Sequence, residues 1–175
     1  MISHKEERRC IMALIRLHAW LEREETFGME LRYVALACCA SLILLFGGPY
    51  VYSAFDVYLP REGVVDIWAL SSQQFISQVV PIIVNEELYW RFLPLTAPIF
   101  FGLRFFISPA VFISSAHFGY MHGGLLNIPL QGVGGLILCL VFLKCGGMRM
   151  RFFRAIGMVI LTHLLIDAVL YLRLF

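Results

Sequence analysis

Long stretches without charge alternate with short charged ones along this chain. No Asp, Glu, Lys or Arg occurs at 33–55, 67–85 or 105–143, and 155–172 carries only Asp167. A crossing helix needs roughly 20 predominantly apolar residues, so 33–55 and 155–172 each predict one span. The first is expected to break near Gly47-Gly48-Pro49. The run 105–143 is too long for one crossing, and Gly123-Gly124 with Asn127-Ile128-Pro129 supplies a tight turn between two helices. The segment 67–85 is uncharged but carries Ser71, Ser72, Gln73, Gln74 and Gln78, which are expected to face other helices rather than lipid. A polar loop, 56–66, with Pro60 and Gly63 precedes it, and a basic loop with Lys144, Arg149, Arg151 and Arg154 precedes the last helix. The pattern predicts an all-α membrane bundle of about five transmembrane helices, with no internal repeat.

The first thirty residues read differently. They are charge-dense and lack the early apolar core of a signal peptide. Arg9, Arg16 and Arg23 fall seven apart on one helical stripe, with Ile11, Leu14, Ile15, Trp20 and Leu21 away from it. Residues 1–30 are therefore expected to form an amphipathic helix at the membrane surface; a solvated helix or partner-binding arm fits the same pattern. Residues 31–175 are expected to form one membrane domain.

Composition agrees with this reading. Of 175 residues, 60% are hydrophobic and 15% charged, with a mean hydropathy of +0.80, whereas soluble domains carry about 25% charged residues. A net charge of +2 suggests no nucleic-acid partner. The five cysteines are odd in number and show no metal-finger spacing, which argues against a disulfide framework. With the N-terminus inside, only Arg61 and Arg173 fall on the outer side, as the positive-inside rule requires.

Ionisable residues within such helices are costly and mark functional candidates. Three clusters stand out. Glu87 and Arg91 share a helix face and can pair, while Glu86 is rotated about 100° from Glu87; an interfacial cluster with Tyr89 and Trp90 is the alternative. His122 shares a face with Phe118, whereas His117 lies about 140° from His122 and is expected to be a core histidine. His163 and Asp167 are four apart on the last helix. Either pair alone could lock helices together, but all these groups on three apolar helices are best accommodated around one wet cavity.

The ordered motifs Glu86-Glu87-x-x-x-Arg91, Phe118-x-x-x-His122 and His163-x-x-x-Asp167 resemble the CPBP family, the CAAX protease and bacteriocin-processing membrane proteins. The resemblance covers roughly 78–172. It implies a glutamic-type intramembrane endopeptidase with Glu86 as general base, His122 helping to hold and activate water, and Glu87 and Arg91 in support. His163 and the residue at 167 would stabilise the oxyanion. Many members carry Asn at the last position, a neutral donor. An ionised Asp cannot donate, so Asp167 is expected instead to orient His163. No cofactor is expected. Glu86, His122 and His163 are also a mixed ligand set for zinc with one open position, although there is no His-Glu-x-x-His. A non-catalytic immunity or scaffold subunit is the alternative outside enzymology. The expected partners are the lipid bilayer and a protein or peptide substrate at the membrane, and the expected location is a bacterial cytoplasmic membrane with the N-terminus cytoplasmic. Counted from opposite membrane surfaces, Glu86 and His122 fall at different depths, and substrate identity is not written in the motifs.

Overall fold

The computed structural model describes residues 4–54 and 70–172. The expected 56–66 loop and the start of the segment at 67 lie outside these residues. Eight α-helices make up the described chain: α1 His4–Glu22, α2 Phe27–Ala54, α3 Ser72–Gln74, α4 Val80–Glu87, α5 Leu93–Phe100, α6 Ile107–Met121, α7 Val133–Lys144 and α8 Phe152–Tyr171. Wider π-helical turns occupy Phe75–Val79, Leu88–Phe92 and Ile128–Gly132. No strand occurs among the described residues. The protein is a helical membrane bundle.

Three helical stretches are long and apolar enough to cross a membrane, Phe27–Gly48, Leu125–Arg149 and Phe152–Tyr171. The expected count of five is therefore not reached by length and composition among the described residues. The reasons are local. The run 72–100 is long but carries Glu86, Glu87 and Arg91, and the 15 residues of α6 extend only about 22 Å at 1.5 Å per residue. Two further expectations change. No break occurs at 47–49, where α2 continues to Ala54, since Gly and Pro are tolerated in membrane helices. Of the polar residues expected to face other helices, Ser72 does so, its hydroxyl 3.3 Å from that of Tyr171 on α8, whereas Ser71, Gln73, Gln74 and Gln78 are exposed. They start the run rather than fill a span, with Ser71 capping Gln74 N–H and the Gln74 side chain accepting from Ser71 N–H at 2.9 Å.

Proline explains how the run 72–100 is held. Pro94 has no N–H to offer the carbonyl four residues back, that of Trp90. Ser114 of α6 donates its hydroxyl to that carbonyl. The freed acceptor thereby fixes α6 against the segment bearing Glu86, Glu87 and Arg91. On its other side α6 packs closely on the π turn Ile128–Gly132 that leads into α7: a Cβ at Gly119 would stand 2.6 Å from Gly132 N. The largest apolar core lies between α5, α7 and α8, where Leu95, Cys139, Phe142, Ala155 and Val159 are fully buried.

The basic loop is a clamp on the N-terminal segment. Lys144 is buried, donates to Trp20 O at 2.5 Å and to Glu25 Oε1 at 2.9 Å, and lies over the Trp20 ring. Arg149 and Arg154 both converge on Glu30, a fully buried carboxylate near the start of α2, and Arg151 pairs with Glu24. The C-terminal end of α1 is thus tethered, while Arg9, Ile11, Met12, Ile15 and Arg16 remain exposed.

Candidate active site

Four elements bring the ionisable groups to one place. The end of α4 supplies Glu86 and Glu87, the following π turn Arg91, the C-terminus of α6 His122, and the middle of α8 His163 and Asp167. The 100° between consecutive helical residues separates the two glutamates by role. Glu87 points into the bundle with no exposed surface, whereas Glu86 faces a cavity of about 510 Å³ that His122, His163 and Asp167 also line.

Glu86 stands between two imidazoles. Its Oε1 lies 3.7 Å from His122 Nε2, and its Oε2 lies 3.9 Å from His163 Nε2. The depth conflict read from the sequence is therefore absent. Each ring is turned by a bond at its other nitrogen. His122 caps α6, and its Nδ1 donates to Phe118 O at 2.7 Å, because a carbonyl can only accept. Asn127 in turn donates its side-chain amide to the His122 carbonyl. His163 Nδ1 lies 2.6 Å from Glu87 Oε1, an oxygen that also accepts from Arg91 Nη1 at 3.1 Å. That carboxylate accepts both bonds, so Nδ1 carries the proton and Nε2 faces the cavity.

This geometry corrects the expected role of Asp167. The group that orients His163 is Glu87. Asp167 Oδ2 instead stands 4.0 Å from the cavity-facing Nε2. Spacing on one helix favoured the i, i+4 pair, but the approach of α4 to α8 delivers a closer carboxylate from the other helix. His117 is likewise no core histidine; it is exposed, with its ring 4.5 Å from that of Trp90. Tyr89 is exposed at the same helix end, as the interfacial alternative expected, but Trp90 borders the cavity.

Arg91 is the largest fully buried side chain. Its guanidinium lies over the Phe118 ring at 4.1 Å, and Phe118 also stacks on His122 with centroids 4.2 Å apart. Room for it depends on Gly135, where an added Cβ would come within 3.3 Å of Arg91 Nη2. Arg91, Glu87 and His163 thus form one buried chain running from the α6–α7 contact to the cavity.

A family model described as Type II CAAX prenyl endopeptidase Rce1-like matches residues 68–169, more than half of the chain and all of these side chains. The chain belongs to this Rce1-like family. No curated protein and no solved structure matches it. Membership makes it a membrane protein of an endopeptidase family and agrees with the resemblance carried by the three motifs. Zinc was the alternative reading for Glu86, His122 and His163. Among the described residues no group of three His, Cys, Asp or Glu side chains has the arrangement of a metal site.

Several residues around this Rce1-like site had no sequence-level assignment. Asn127 read only as a turn residue and Ser114 as part of an apolar run. Pro94 was a usable signal for Ser114, since it orphans one carbonyl within reach of a neighbouring helix. Ser41 and Gln131 also border the cavity, and nothing in their local sequence singles them out.

Proposed function

We propose that the protein is an intramembrane endopeptidase that hydrolyses a peptide bond of a membrane-associated protein or peptide with water activated by Glu86 and His122. The observation that carries this reading is the placement of the Glu86 carboxylate between the Nε2 atoms of His122 and His163, at 3.7 and 3.9 Å. Glu86 takes a proton from the attacking water while the bare Nε2 of His122 accepts its second hydrogen. Glu86 then returns a proton to the leaving amine. The developing oxyanion is met at the gap between His163 Nε2 and Asp167 Oδ2. One proton shared there can be donated to the oxyanion from either side, and Glu87 behind the ring stabilises the imidazolium form. Arg91 neutralises Glu87.

A glutamate base needs no metal, and the reaction is proposed to run without one. Basic-residue placement supports an orientation in a bacterial cytoplasmic membrane with the N-terminus inside. The test is Glu86→Gln in protein that inserts and purifies normally: cleavage is expected to fall to background, and activity is expected to survive chelation. Full activity in the variant would remove Glu86 from the base role. Stoichiometric zinc with chelator-sensitive activity would replace the metal-free scheme.

A further inference from the structure

Helix α1 is held at one end only. Every described side chain from Glu6 to Leu17 is exposed, whereas Leu21, one turn further on, is buried in the core. A helical stretch shorter than about 12–15 residues is marginal in water unless an amphipathic face is covered, so something outside the bundle must cover this one. At 100° per residue, Ile11, Ile15, His18 and Glu22 form one row along α1. That row ends at the turn between α5 and α6, where Arg104 Nη1 lies 2.5 Å from Glu22 Oε1. The same turn exposes Phe100, Phe101, Leu103, Phe105 and Phe106. So large an apolar patch belongs in the bilayer rather than in water. The row that carries Ile11 and Ile15 thus runs towards a lipid-embedded corner.

Beside this row, Arg8, Arg9 and Arg16 border one open hollow of about 610 Å³ together with Met12 and Ala13. Basic residues nearer the bundle are neutralised: Arg104 by Glu22, Lys144 by Glu25, Arg151 by Glu24, and Arg149 and Arg154 by Glu30. Arg8, Arg9 and Arg16 have no such carboxylate among the described residues. Three uncompensated guanidiniums next to exposed apolar side chains are complementary to the phosphates of anionic headgroups. An acidic protein would answer the arginines alone. A bilayer answers them together with the isoleucine row and the aromatic corner.

We propose that α1 docks on the anionic lipid surface of the membrane that holds the bundle, with Ile11, Met12 and Ile15 at the acyl boundary and Arg8, Arg9 and Arg16 on headgroup phosphates. The test places the full-length protein in nanodiscs of phosphatidylcholine, or of phosphatidylcholine and phosphatidylglycerol in equal parts. Amide hydrogen exchange is followed through residues 6–17, with 133–144 of α7 as the reference. Exchange of 6–17 is expected to be about tenfold or more slower in the anionic discs, and molar salt should remove most of that difference. Arg8→Gln, Arg9→Gln and Arg16→Gln together should abolish the lipid difference. Ile11→Gln with Ile15→Gln should weaken protection in the anionic discs, with the α7 reference unchanged in both variants. Inorganic phosphate added to phosphatidylcholine discs is expected to protect nothing, and protection by it would assign the arginines to a free anion instead of a lipid surface. Exchange equally fast in both discs would leave a protein as the occupant and overturn the proposal. Equal protection in both discs that survives the triple substitution, or that requires two copies per disc, would overturn it as well.

Discussion

The 2.6 Å hydrogen bond between His163 and Glu87 joins α8 to α4 across 76 positions of sequence and fixes which face of the imidazole the substrate meets. Glu87 is thereby a positioning residue: it touches the ring and the Arg91 guanidinium but not the cavity.

Glu87→Gln is expected to lower kcat by about 10²-fold or more, because the ring loses its anionic partner. It also strands Arg91, at about 3–5 kcal/mol of stability. A second variant separates the effects: with Glu87→Leu and Arg91→Leu together, the melting temperature should recover while kcat stays low. Recovery of both would show that Glu87 acts on folding alone.

At position 167 the expectation reverses the sequence reading. With Glu87 holding the ring, the proposed mechanism leaves Asp167, whose Oδ2 lies 4.0 Å from His163 Nε2, to face the oxyanion. Asp167→Asn is therefore expected to keep activity within about tenfold, while Asp167→Ala loses about 10²-fold. Equal losses in the two variants would argue against a donor at this position.

Gly119→Ala should be poorly tolerated. The added Cβ would meet Gly132 N at 2.6 Å and Ile128 Cα at 2.8 Å, backbone atoms that cannot swing aside. A loss of about 1–3 kcal/mol is expected. Reduced activity should accompany it, since His122 ends the same helix. Thermal unfolding in detergent together with kcat measures both.

The N-terminal clamp makes a pH prediction. The Lys144 ammonium beside Glu25, by hydrogen bond and by charge, holds that carboxyl below its usual range of about 4.5. A depressed folded-state pKa means the contribution is present above about pH 4.5 and is lost as pH falls through the lower folded value. Protease sensitivity at the α1–α2 junction should therefore rise below pH 4.5, and Lys144→Met should raise it already at neutral pH. A junction equally protected in Lys144→Met would show that apolar packing, not this pair, holds α1.

Most of the site was legible because spacing along one helix is a sequence property. The positions of Glu86, His122, His163 and Asp167 on apolar segments sufficed to predict a shared cavity, and the Glu87–Arg91 pair followed from i, i+4 geometry. What could not be read was the choice of partner between helices. Whether His163 meets Asp167 on its own helix or Glu87 on another depends on how α4 and α8 are rotated and how deep each sits. The π turns add a residue per turn beside the site and alter both. The exposed Ser71, Gln73, Gln74 and Gln78 were misread for a related reason: polarity in an uncharged stretch does not reveal whether the helix has begun.

Glu30 sits fully buried near the start of the first long apolar helix, and its partners Arg149 and Arg154 lie 119 and 124 residues further on. During synthesis that carboxylate enters the membrane region long before either arginine exists. The early part of the chain must then hold an uncompensated acid, protonated or kept near the surface, until the last helix is inserted. Chain termination before residue 149 would leave it so permanently. The clamp therefore makes the N-terminal segment wait for late sequence: it locks down only on a polypeptide extended through Arg154, at the start of the helix that goes on to carry His163 and Asp167.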